Sequence, residues 1–246
     1  MKNLPWCALA LLSACAPVSK ITPVHQPRAA LLDHAGELRA QVGIGATIQH
    51  GPSVTASVVG APAEGLLLAG GVDLDPGSGE TSHYAADLAI GAFLPDQDAL
   101  RLEGFVGLGA GTARGFGEYW DDDFTVVARA DLEGPYLRPY GQISIGFEVP
   151  YYEMSFGAQV WGTLIDLRVE DAVGAVRRTG YERMGVMPFV TTAFLIESFR
   201  IESTFGMSLY VAGEVAPQGL GVELNNADVV AQVRLGYEVD LAAPQP

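Results

Sequence analysis

The sequence predicts an all-β fold, an antiparallel up-and-down meander of about ten strands closed into a barrel behind an N-terminal tether. Three observations carry this expectation. Stretches in which apolar residues alternate with polar or small ones recur between residues 37 and 240, and a period of two belongs to strands with one buried face. The segments between them alternate between tight turns and longer polar loops. Only 17% of the residues are charged and 30 are glycine, whereas soluble domains carry roughly 25% charge. No run reaches the ~18 apolar residues of a transmembrane helix. If this chain crosses a membrane, it must therefore cross as a closed barrel whose backbone groups pair internally.

Residues 1–14 open with Lys2 and continue into an apolar run from Leu4 to Leu12, the layout of a secretory signal peptide. That run ends in Leu12-Ser13-Ala14-Cys15, which resembles the lipobox of bacterial lipoproteins. The resemblance implies cleavage before Cys15, an acyl chain such as palmitate on its sulfur, and acylation of the new amino group. Residues 15–36 carry Pro17, Pro23 and Pro27 without periodicity and read as an extended lipidated tether.

From residue 37 the period of two begins. In strand one, Leu38, Ala40, Val42, Ile44, Ala46 and Ile48 oppose Glu37, Arg39, Gln41, Gly43 and Gly45. After the turn at His50-Gly51-Pro52, Val54, Ala56 and Val58 make a second strand, and residues 66–74 a third. A fourth sets Tyr84, Leu88 and Ile90 against His83, Asp87 and Gly91, and a fifth sets Leu102, Val106 and Leu108 against Arg101, Glu103 and Phe105. Residues 124–149, interrupted by Gly134-Pro135 and Pro139, read as one bent strand or two pieces. The seventh, eighth and ninth strands begin near Tyr152, Val186 and Phe199, and the tenth alternates Val229, Val233, Leu235 and Tyr237 with Gln232, Arg234 and Glu238. The barrel thus spans 37–240, followed by a C-terminal tail at 241–246.

Connections after strands two, four, six and eight are tight, while those after three, five, seven and nine are long. This architecture resembles the small outer-membrane barrels of Gram-negative bacteria, which have short periplasmic turns and long outer loops. The resemblance implies an apolar face toward lipid, outer-membrane lipid as a partner, and a location in the outer membrane of the cell envelope, anchored through Cys15. The same alternation also permits a lipid-anchored soluble barrel with the apolar face inside.

Acidic residues outnumber basic ones by 29 to 14, for a net charge of −15. Loss of Lys2 with residues 1–14 makes this −16. Nucleic acid is excluded as a partner, since phosphate binding needs clustered Lys and Arg. Cys7 leaves with the signal and Cys15 is the acylation site, so no disulfide or thiolate metal site is expected.

If the apolar face is outside, the inward face carries Glu37 and Arg39, Arg101 and Glu103, Arg200 and Glu202, and Arg234 and Glu238, all in the turn-side half. We expect an interior charge network that seals a narrow barrel, with strand one meeting strand ten across the seam. Paired charges are tolerable in such a place where lone ones are not.

Chemistry is sparse. His83 with Asp73, Asp75 and Glu80, and His50 in the first hairpin, make a candidate acid and His pair at the rim that could activate water. Asp121-Asp122-Asp123 lacks the spaced ligands of a calcium loop, and no G-x-S-x-G signal is present. No catalytic, metal or cofactor site is therefore expected. His25 and His34 read as incidental. The expected role is structural or interactive, with an unknown partner for loops 112–123, 170–185 and 212–226. The alternatives are a barrel binding an apolar ligand and a hydrolase at the rim.

Overall fold

The computed structural model describes residues 27–29, 31–32, 34–47, 51–75, 81–97, 100–120, 126–171, 174–213 and 227–241. Ten strands close into one antiparallel barrel: β1 (Glu37–Thr47), β2 (Gly51–Ala63), β3 (Leu66–Asp75), β4 (Ser82–Gln97), β5 (Leu100–Trp120), β6 (Val126–Val149), β7 (Tyr152–Asp171), β8 (Val176–Ile196), β9 (Phe199–Gly213) and β10 (Ala227–Asp240). Each strand pairs with its neighbours in sequence, and β1 closes on β10. The expected all-β, ten-stranded meander barrel is the fold observed.

Residues 126–149 form one strand, with Pro135 and Pro139 among its outward, exposed positions. The turn end is tight. Glu64-Gly65 joins β2 to β3, with Gly65 at φ 71°, and Glu197-Ser198 joins β8 to β9, with Glu197 at φ 55°. Such left-handed backbone suits glycine and strains a side chain.

The register fixes which face looks inward. Inward positions include Arg39, Gln41, Thr55, Ser57, Asp87, Glu103, Gln142, Glu153, Glu202 and Arg234, all buried. Outward positions include Val42, Ile44, Leu68, Leu88, Ile90, Val106, Leu108, Ile143, Phe205 and Leu235, all large, apolar and exposed. Leu88 leaves 75% of its surface uncovered. A continuous apolar belt around a closed barrel is unstable in water and suited to lipid. Aromatic residues gather at its turn end: Phe199 meets Tyr237 edge-on with centroids 5.2 Å apart, and Tyr152 meets Phe194 at 5.5 Å. Rings at that level match the aromatic girdle of a membrane interface.

The loop end of β5 to β8 corrects the sequence reading. Loops were expected at 112–123 and 170–185, but β5 continues to Trp120 and β7 to Asp171, and β8 already begins at Val176. Here the pattern inverts. Thr112, Arg114, Asp131, Glu133, Asp166, Arg168, Glu170 and Glu182 face out and are exposed. Ala113, Leu132, Ile165, Leu167, Val169 and Tyr181 face in and pack as one buried cluster. Polar residues on the outer face looked like loop because a lipid-facing strand carries apolar residues there. The same strands simply leave the lipid and stand in water, where the ordinary rule of apolar inside and polar outside returns. The crossing falls between Ala110 and Thr112 on β5, and between Leu164 and Asp166 on β7.

This boundary makes a prediction. Leu88→Arg, at the middle of the belt, should destabilise the inserted barrel by about 2–4 kcal/mol, whereas Thr112→Arg, beyond it, should change stability by less than about 0.5 kcal/mol. Urea titration of folded protein in bilayers compares the two.

Candidate functional site: the filled lumen

The segment leading into β1 does not hang free as a tether over its described part. At the turn end Gly36 donates its N–H to the Ala61 carbonyl at 2.8 Å and accepts from the Leu241 N–H at 2.9 Å. From there the chain, followed backward, climbs inside the barrel. Leu32 is 1% exposed and joins Val59, Ala61, Leu67, Phe93 and Phe105. Leu31, fully buried, packs with Ala29 and Phe189. Its N–H donates to a Glu103 carboxylate oxygen at 2.8 Å, and its carbonyl accepts from the Arg101 guanidinium at 2.6 Å.

Higher still, Arg28 grips Asp87 with two parallel hydrogen bonds of 2.7 and 2.6 Å, the bidentate geometry that makes such pairs strong and directional. Tyr140 donates its hydroxyl to the same carboxylate at 2.9 Å. The Arg28 N–H donates to the Gln142 side-chain carbonyl at 3.1 Å, and the Gln142 side-chain amide donates back to the Arg28 carbonyl. Gly71 faces this spot on β3, and a Cβ there would collide with the Arg28 guanidinium. The Pro27 carbonyl accepts from Arg234 at 2.6 Å. Peptide groups in a lumen need partners as much as any buried backbone does, and the barrel wall supplies them.

The wall also carries its own ion pairs. Glu202, fully buried on β9, accepts from Arg200 at 2.9 Å, Arg234 at 2.7 Å and Gln41 at 3.0 Å. Arg200 reaches past β8 to Glu153 on β7 with both terminal nitrogens. Arg39 pairs with Glu238 across the β1–β10 seam at 2.6 Å, where the register sets the two opposite each other. Arg101 pairs with Glu148 at 2.9 Å. Glu37 stands opposite Asp240, and His34 lies 3.7 Å from Glu37 and 3.3 Å from Asp240.

All eight charges read from the sequence are on strands and inward or at the turn-end rim. Arg200, Glu202 and Arg234 come together as one group. Arg101 and Glu103 instead hold the entering segment at Leu31. Sequence reasoning missed Glu153, Asp87 and Arg28. Glu153 and Asp87 were visible as inward polar positions of β7 and β4, but neither has a basic neighbour two residues away. Arg28 lies outside any periodic stretch, so no pattern could place it.

Other candidates fare differently. His83 and Asp75 sit opposite each other in the β3–β4 register, both buried, with the Tyr136 ring 6.1 Å from that of His83. Cys15, His25, His50, Glu80, Asp121-Asp122-Asp123 and most of loop 212–226 lie outside the described residues. Among the described residues no cluster of metal-ligating side chains is present.

A closed ten-stranded barrel with an apolar outer belt and a polar, filled lumen defines a class, the outer-membrane β-barrel. No protein-family profile matches this chain, and no curated protein is similar to it in sequence. Solved structures are similar in fold. The outer membrane protease OmpT of Escherichia coli superposes with a TM-score of 0.55 at 10% identity, over 82% of this chain and 97% of that one. The translocator domain of the autotransporter NalP from Neisseria meningitidis gives a TM-score of 0.45 at 13% identity, over 84% and 90%. At such identities the likeness concerns fold alone.

Proposed function

We propose that this chain is a non-enzymatic outer-membrane lipoprotein, anchored through acylated Cys15, whose barrel is a sealed structural platform presenting its loop end to a partner. The filled lumen is the observation that carries the reading. A transport barrel needs a continuous polar path, and here Arg28, Leu31, Leu32 and the Arg200–Glu202–Arg234 group occupy the path with every one of those charges paired. Nor does the lumen favour an apolar ligand, because its apolar side chains are already packed against one another and against the entering segment. The water-standing rim of β5 to β8 offers the interaction surface, with exposed Arg114, Asp131, Glu133, Arg168 and Glu170.

Fractionation tests the anchor and the barrel separately. Cys15→Ala, cut by a conventional signal peptidase, should stay in the carbonate-washed membrane and keep a folded band that shifts on boiling, while losing incorporation of an alkynyl palmitate. A soluble Cys15→Ala protein would mean that acyl chains are the only anchor and would overturn the reading. Asp75 opposite His83 favours a second reading, a hydrolase at the outer part of the lumen. It requires an ester- or peptide-cleaving activity of the wild type that His83→Ala abolishes; equal turnover by both removes it.

A further inference from the structure

The apolar belt has two unlike sides. On β6 to β10 its outward positions carry Phe147, Phe156, Phe194, Phe199, Phe205 and Tyr237, all exposed. On β1 to β5 Tyr84, near the loop end of β4, is the one exposed outward ring among the described residues. A barrel surrounded by lipid wears its aromatic girdles around the whole wall, because amphipathic rings settle at the interface on every side. Here the turn-end girdle runs from Phe147 on β6 to Tyr237 on β10 and stops. The turn-end outward positions of β1 to β5 are instead Leu38, Gly60, Leu66, Leu94 and Leu100.

The side without rings also carries a furrow. The register sets Val42, Ala56, Val72, Ala86 and Ala110 in one cross-strand row over β1 to β5, and nothing in that row is larger than valine. Followed past either end, the row becomes tall, with Leu137 and Leu164 beyond Ala110 and Leu235 and Ile201 beyond Val42. Together with Ala40 and Gly70, the row floors a trough of about 1310 Å³ on the outer wall. Small residues on a membrane face let a second backbone come close, and such close packing holds proteins together where burial from water no longer drives association.

We propose that this face packs against a second copy of the chain, the two furrows crossing at a two-fold axis beside Val72 on β3, the middle strand of the row. Both copies enter the membrane in the same sense, so the axis runs along the membrane normal and each level of one wall meets the same level of the other. Each furrow climbs obliquely round its barrel, so the two cross at one point, where Ala56 and Ala86 flank Val72. The low row between taller flanks offsets the curvature of the wall, and more than one strand can touch. The area is sufficient. Five strands about 4.8 Å apart under a belt about 25 Å tall give about 600 Å² of wall per copy. The pair thus offers about 1,200 Å², above the ~1,000 Å² that a specific interface needs.

Oxidative cross-linking in outer membranes that contain the full chain tests the proposal. Val72→Cys should give a disulfide-linked dimer on a non-reducing gel, with a yield several-fold above that of Val160→Cys, whose valine is 50% exposed on the far side of the barrel at β7. The wild type sets the background from Cys7 and Cys15. Adding Ala86→Trp to Val72→Cys should fill the furrow and cut the dimer yield several-fold. The boiling-sensitive band should stay unchanged, which separates loss of the dimer from loss of the fold. Equal yields from Val72→Cys and Val160→Cys would mean chance collision. A Val72→Cys adduct formed only with another protein would mean that a different partner covers the face, and monomer throughout would mean that lipid does. Each of these three results overturns the proposal.

Discussion

Glu202→Ala should lower the stability of the folded barrel by about 3–5 kcal/mol, the cost of leaving buried charge without its partner. Glu202 is the shared acceptor of Arg200, Arg234 and Gln41 and is entirely enclosed. Its removal leaves Arg200 with Glu153, but deprives Arg234 of the carboxylate that holds it against the lumen wall. Glu148→Ala is the internal control. Glu148 also pairs with an arginine, Arg101, but its side chain is 32% exposed, and water replaces such a partner at a cost of about 1 kcal/mol or less. Urea unfolding in detergent or bilayer, followed by the boiling-sensitive gel band, should therefore separate two substitutions that look alike in sequence. Similar losses for both would mean that the lumen is wetter than the packing around Glu202 implies.

Leu31→Ala combined with Leu32→Ala should cost about 4–10 kcal/mol, since each truncation of a fully buried leucine costs about 2–5 kcal/mol. The two side chains point into different clusters, Leu32 toward Phe93 and Phe105 and Leu31 toward Phe189, so their losses should come close to adding. A free tether predicts no loss at all. The same unfolding experiment decides, and a double variant as stable as wild type would show that the segment does not occupy the lumen in solution.

The difference between a tether and a plug segment explains where sequence reading stops. Strand existence was legible because alternation along Leu38 to Ile48 or Phe199 to Val211 is a local property. Closure of β1 on β10 was legible from meander order, and it places Arg39 beside Glu238. The outer halves of β5 to β8 were not legible as strands. The rule applied there assumed lipid on the outer face, and Thr112, Arg114, Asp166 and Arg168 break that rule where the barrel stands in water. The fate of Pro27 to Leu32 was not legible either. A short non-periodic stretch is held by partners far away in sequence, Asp87 by 59 residues and Gln142 by 114, and no local pattern records them. The many inward glycines were a partial signal. Gly71 and Gly146 leave space beside Arg28 and Leu31, so the wall is thin where something else fills the lumen.

The central claim is that this membrane barrel is sealed by its own chain. Single-channel recording on full-length protein in a planar bilayer, with the boiling-sensitive band showing that the reconstituted protein is folded, tests it most directly. The account predicts a quiet bilayer with no steady conductance at any holding potential that the membrane survives. A large, steady open conductance from the folded wild type would contradict it, because the account places Arg28 on Asp87 and Arg200 on Glu153 and Glu202 inside the lumen as its seal.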